Sequence, residues 1–207
     1  MRNLLPMALF AALAGCGGAP DRAAEQAAAP PPAASPAPAA PVSDPVPAST
    51  AAQPGLAGFS GYGDLTLGIA ATGMEQAWGG ALEALGAVED AAACHYLRPK
   101  RGAPSDKDPL FMVEGGQFVR YDIRAASEVA PGGGRIGMRK DDILQLYAGK
   151  VEELPHKYTD GQYLRVEDPA GGKGVLVFET DGKDADSKVL RWRVGLAPQV
   201  DYVEGCS

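Results

Sequence analysis

Histidine and cysteine, the side chains that most often carry nucleophilic, redox or metal chemistry, are nearly missing: two histidines and three cysteines in 207 residues. No two cysteines form a Cys-x-x-Cys pair, and there is no Gly-x-Ser-x-Gly and no His-Glu-x-x-His. Those absences remove the usual signatures of a dithiol redox site, a serine hydrolase and a zinc peptidase. Basic charge is also short, with 19 Lys and Arg against 26 Asp and Glu and a formal net charge of −7. No basic patch with interleaved aromatics appears, so nucleic acid and anionic lipid headgroups are poor partners. The apolar stretch Leu4 to Leu13 is too short to cross a bilayer as a permanent helix. From Gly17 to about Pro54 the chain is dominated by Ala and Pro and has almost nothing with which to build a core.

What is present begins with an address. Met1-Arg2-Asn3 followed by Leu4 to Leu13 has the basic head and apolar core of a secretory leader. The next four residues, Leu13-Ala14-Gly15-Cys16, resemble the bacterial lipobox. That resemblance implies a signal peptide at 1–15 and an acylated Cys16, with the membrane reached through lipid only. Gly17 after the lipidated cysteine, in place of the Asp that retains such proteins in the inner membrane, implies the outer membrane. Residues 16–54 read as a lipidated cysteine and an Ala/Pro-rich spacer. Residues 55–207, about 150 residues, suffice for one domain with a substantial core. With Cys16 used for lipid, Cys94 and Cys206 remain as an even pair, read as a disulfide, with a redox-active pair as the sharper alternative.

Tyr-Leu-Arg is written twice, at Tyr96 to Arg98 and at Tyr163 to Arg165, and the surroundings also correspond. Gly68 aligns with Gly137, Gln76 with Gln145, Trp78 with Tyr147, Leu110 with Leu176, Arg120 with Arg191 and Tyr121 with Trp192. Four segments matching in one order predict an internal repeat, one copy at about 61–124 and the other at about 134–196. In the second copy Asp141 and Asp142 stand at a helix start, Ile143, Leu146 and Tyr147 follow helical spacing, and Gly149 is placed to end the helix. Alternating segments then predict three strands in meander in each copy. Val200 to Val203 reads as part of a last edge strand over 199–207. The expected fold class is therefore α+β, two tandem helix-plus-antiparallel-meander modules.

This pattern is similar to the β-lactamase-inhibitor-protein-like fold, which includes small lipoproteins of the outer-membrane barrel-assembly machinery. The motifs Leu154-Pro155-His156-Lys157-Tyr158, Gly161 to Val166, Phe178 to Gly182 and Tyr202 to Ser207 resemble those of a family of uncharacterised proteobacterial envelope lipoproteins, some labelled lectin. Neither resemblance implies a catalytic mechanism.

For chemistry, His156 lacks a recognisable nucleophile or metal set and reads as a structural or ligand-contacting loop residue. Ala170 to Gly174 reads as a hairpin turn, and Asp181, Asp184 and Asp186 as a solvated hairpin tip rather than a calcium loop. No metal, cofactor or catalytic residue is expected. Alternation on the strand places Tyr163 and Arg165 on one face with Leu164 on the other. The candidate binding face comprises His156, Lys157, Tyr158, Tyr163, Arg165, Arg191 and Trp192. Aromatic and Arg side chains suit an interface, though the same pairs can serve simply to cover the sheet. The reading is a non-enzymatic outer-membrane lipoprotein that binds another envelope protein, as assembly partner or inhibitor-type module. The alternative is a lectin-like module for neutral glycan or peptidoglycan.

Overall fold

A computed structural model of the chain describes residues 55–206. The leader, Cys16 and the Ala/Pro-rich stretch to Pro54 lie outside the described residues, as does Ser207. Three short strands, β1 (Ala57–Gly58), β2 (Gly61–Tyr62) and β3 (Leu65–Thr66), form a small antiparallel sheet. A 3-10 turn and helix α1 (Met74–Trp78) follow, then strands β4 (Leu82–Ala84), β5 (His95–Pro99), β6 (Leu110–Glu114) and β7 (Gln117–Ile123). Helix α2 (Lys140–Leu146) precedes β8 (Val151–Pro155), β9 (Gln162–Glu167), β10 (Gly174–Thr180) and β11 (Val189–Leu196). The last eight strands make one antiparallel sheet in the order β4-β5-β6-β7-β11-β10-β9-β8.

This overturns the expected α+β pair of helix-plus-meander modules of the β-lactamase-inhibitor-protein type. The described region is mostly β. The strands that follow each helix do not form separate sheets, because β7 and β11 pair directly, Tyr121 opposite Val194 and Ile123 opposite Trp192. The helices are five and seven residues long, too short to form a layer of their own. α1 stops at Gly79, whose φ of 74° is the left-handed conformation that ends a helix at low cost in glycine.

Alternation sorts the large sheet into two faces. One face carries the main core: Leu164 and Val166 of β9, Leu176 and Phe178 of β10, Trp192 and Val194 of β11, Tyr121 of β7 and Phe111 of β6. Ile143 of α2, Met74 of α1 and the small sheet's Tyr62 and Leu65 close over it. Tyr62 lies 5.2 Å from Tyr121 and 5.8 Å from Phe111, and the Tyr121 hydroxyl donates to the Gly58 carbonyl at 2.8 Å. Each such large side chain removed from water stabilises the fold by roughly 1.5 to 3 kcal/mol. β10 is buried along its whole length, because its other face is also covered.

The cover on that second face is the C-terminal segment. After β11 the chain makes a 3-10 turn at Gln199–Asp201 and runs on to Cys206, bonded to Cys94 with Cα atoms 5.2 Å apart. Of the edge strand expected at 199–207, none forms among the described residues 199–206: the outer strands of the large sheet are β4 and β8, and this segment crosses the face instead. β8 blunts its edge with Glu152, Glu153 and Pro155.

Candidate functional site

The second face is built by residues two apart on neighbouring strands. β9 supplies Tyr163 and Arg165, β10 supplies Val175, Val177 and Glu179, and β11 supplies Arg191 and Arg193. From β7 come Arg120 and Asp122, the latter opposite Arg193. Gly195, opposite Arg120, leaves room for that guanidinium's stem: a Cβ there would meet the Arg120 Cβ at 2.7 Å and the Val119 carbonyl oxygen at 2.8 Å.

Arg120, Glu179 and Arg193 are nearly withdrawn from water and are satisfied by neighbouring charges and by main-chain carbonyls. Arg120, 4% exposed, grips Asp122 through Nε to Oδ2 at 2.9 Å and Nη2 to Oδ1 at 2.5 Å. Its Nη1 donates to the carbonyls of Tyr202 at 2.7 Å and Gln199 at 3.1 Å. Glu179, 3% exposed, accepts from Arg193 Nη1 and from Arg191 Nε, the latter at 2.6 Å, while Arg193 Nε donates to the Val200 carbonyl at 2.6 Å. The two buried guanidiniums respond in opposite senses. Burial pulls the Arg120 pKa down, but the bidentate Asp122 outweighs it and leaves it raised. Burial and the neighbouring Arg120 leave that of Arg193 lowered despite Glu179. The Tyr96 phenol beside Asp122 is raised, first by burial and then by that carboxylate.

His156 joins this network to the loop after β8. Its Nδ1 accepts the amides of Tyr158 at 3.1 Å and Thr159 at 3.2 Å, so the ring proton resides on Nε2, which faces Glu179 Oε2 at 3.6 Å. The ring stacks on Tyr163 with centroids 4.6 Å apart. Its partners are backbone amides and a carboxylate rather than a nucleophile, which is the arrangement of a loop anchor. Among the described residues no group of three or more His, Cys, Asp or Glu side chains is placed to hold a metal ion.

Beside the C-terminal segment lies an open cleft of about 450 Å³, lined by the apolar Tyr163, Val177, Leu154 and Val203 and by the charged Lys157, Arg165, Glu152 and Asp201. Arg165 pairs loosely with Glu152 at 3.5 Å, Glu167 at 3.3 Å and Asp201 at 3.4 Å. Lys157 meets Glu204 at 3.1 Å and sits 4.9 Å from the exposed Tyr158 ring. Of the residues expected on a binding face, Lys157, Tyr163 and Arg165 thus line one cleft, His156 supports its wall, and Tyr158 and Arg191 stand exposed on the loop and on β11. Trp192 does not belong there. It pairs with Phe178 and Ile123, points into the main core and is 1% exposed, because a strand neighbour of Arg191 must face the other way. Sequence reasoning missed Asp122, Glu179, Arg193 and Val200 as members of this face. The signal for Asp122 and Arg193 was alternation: Arg191 and Arg193 flank Trp192, and Asp122 follows Arg120 by two.

No protein-family model matches this chain, and no curated protein matches it. Among solved structures it is similar to the uncharacterized protein yfeY from Escherichia coli, at 13% identity and a TM-score of 0.44, covering 67% of this chain and 98% of that one. It is also similar to an extracellular protein containing a SCP domain from Bacillus anthracis str. Ames, at 11% identity and a TM-score of 0.40, covering 63% of this chain and 44% of that one.

Proposed function

We propose that this chain is an outer-membrane lipoprotein, acylated at Cys16, whose described region is a non-enzymatic recognition domain for another envelope protein, engaged at the cleft beside the C-terminal segment. The observation that carries this reading is the cleft's composition. An apolar floor of Leu154, Tyr163 and Val177 bordered by both signs of charge, Lys157 and Arg165 with Glu152 and Asp201, suits a peptide segment with mixed apolar and charged side chains. The neighbouring strand β8 is a free sheet edge. A glycan reading loses support, because Trp192 and Tyr163, the rings on which a sugar would stack, are 1% and 7% exposed, and Tyr163 is already stacked on His156.

The test places a photo-crosslinking amino acid at Leu154 on the cleft floor and, as a control, at Leu190, which is 56% exposed on β11. A discrete envelope-protein adduct from position 154, absent from 190 and weakened by Arg165→Ala, is the expected result. No adduct from position 154, or equal adducts from both positions, would refute the assignment.

A further inference from the structure

We propose that Gln199–Cys206 is a resident peptide ligand of the sheet's second face, latched by the Cys94–Cys206 disulfide, and that reduction of that bond by a dithiol opens the face to an extended peptide segment of a protein partner. This rests on the reading that the face recognises protein.

The segment adds no strand to the sheet. It is held through its main chain, with Arg120 donating to the carbonyls of Gln199 and Tyr202 and Arg193 to that of Val200. Guanidiniums that read successive carbonyls recognise a peptide backbone whatever side chains it bears. The side-chain contribution is narrow: Val200 is fully buried against Tyr163, Val175 and Val177, and Asp201 faces Arg165 at 3.4 Å. The face therefore fits a segment with a β-branched residue followed by an acidic one.

Beneath the segment lies charge rather than a broad apolar surface. Arg120, Asp122, Glu179 and Arg193 would pass into water on opening, where each is well solvated, and the apolar surface left is the small cluster Tyr163, Val175 and Val177 that takes the entering segment's β-branched residue. Both half-buried cysteines line an open cleft of about 390 Å³ together with Glu114 and Tyr202, which gives a reductant access. A thiolate of the dithiol attacks one sulfur and forms a mixed disulfide, expelling the other cysteine as a thiolate that takes up a proton. The second thiolate of the reductant then displaces the first cysteine, which is protonated in turn. The reductant leaves as its own cyclic disulfide, so two electrons pass to Cys94 and Cys206. Once free, the segment stays tethered at Leu196 and competes at high local concentration. A partner prevails by also occupying the 450 Å³ cleft, which the segment borders but does not fill.

The test compares the oxidised chain, the dithiothreitol-reduced chain and the Cys94→Ser/Cys206→Ser variant. Hydrogen exchange is read at Asp201 and Tyr202, whose amides donate to Pro198 and Gln199. Binding is read with a fluorescein-labelled peptide of the sequence Leu196 to Gly205. Expected are at least tenfold faster exchange in this segment, intact protection in β6 and β7, and at least tenfold tighter peptide binding in both latch-free forms, lost when the peptide's Val200 position is changed to Asp. Unchanged exchange on reduction, loss of β6 and β7 protection as well, or equal peptide binding by all forms would overturn the proposal. Failure here with the adduct from position 154 intact removes the latch alone. Absence of that adduct in every redox state removes the underlying recognition reading.

Discussion

Glu179 is the buried carboxylate on which the second face depends, and replacing it tests whether the charge network is organised as described. Its side chain, 4% exposed, neutralises Arg193, itself 4% exposed, and Arg191, 44% exposed. Glu179→Leu leaves the Arg193 guanidinium buried without a carboxylate hydrogen-bonded to it, holding the Val200 carbonyl and lying over the Tyr163 ring, and breaking a buried pair from one side costs about 3 to 5 kcal/mol. Arg193→Met should cost less, about 1 to 3 kcal/mol, because Glu179 keeps Arg191 at 2.6 Å. The double variant removes both buried charges and leaves only Arg191, which can rehydrate, so its cost should fall well below the sum, by about 2 to 4 kcal/mol. Urea unfolding of the oxidised chain reads this directly. At an m-value of about 2 kcal/mol/M, Glu179→Leu should lower the midpoint by about 1.5 to 2.5 M. A loss under about 1 kcal/mol for Glu179→Leu, or strict additivity in the double variant, would refute the reasoning.

Other consequences follow from the same geometry. The Tyr147 phenol is pushed up to about 12 by burial, and it donates to the Pro131 carbonyl and accepts from the Gly134 amide. The unfolded chain therefore sheds this proton first, so the contribution is intact below pH 10 and is lost as pH rises from about 10 to 12, at up to about 2.7 kcal/mol. Urea unfolding followed by far-UV circular dichroism at rising pH should show stability lost in that window, with a shallower loss in Tyr147→Phe, which has no phenol to titrate, and a fold indifferent to pH 12 would contradict it. Trp192→Ala should destabilise by about 3 to 5 kcal/mol, as a core truncation does, while leaving the affinity for a cleft partner unchanged. A binding defect without a stability defect would return Trp192 to the site. Gly195→Ala should cost about 1 to 3 kcal/mol in urea unfolding, because the added methyl must displace Arg120 or the β7 backbone, and a neutral substitution would show that β7 and β11 approach less closely.

Several of these features were readable in the chain, and the reasons others were not are physical. The Tyr163-Leu164-Arg165 alternation assigned faces correctly, since period two is a local property of a strand, and Leu164 is fully buried in the core. The helix starting near Asp141 and ending before Gly149 was legible from charge and glycine placement, although Leu146 is 45% exposed and Tyr147 carries the packing. The direct β7–β11 pairing that makes one sheet had no local signal, because it joins segments about 70 residues apart in sequence. Trp192 corresponds to Tyr121 in the repeat, and, like Tyr121, it lies in the core because it alternates with Arg191. Val200 to Val203 alternates as a strand would, but a covering segment held by side chains can show the same pattern, and only the guanidiniums beneath it reveal the difference. The half-buried Arg165 and exposed Lys157 stand next to Tyr163 and His156 along the chain, and the cleft gives them a common location.

The most direct test of the central claim is co-sedimentation of the purified oxidised chain with outer-membrane fractions and sacculi, each untreated and protease-stripped. Recognition of an envelope protein through the cleft predicts retention by untreated material, loss after stripping, and loss in Lys157→Ala/Arg165→Ala. Retention that survives stripping, or that ignores those two substitutions, would contradict it.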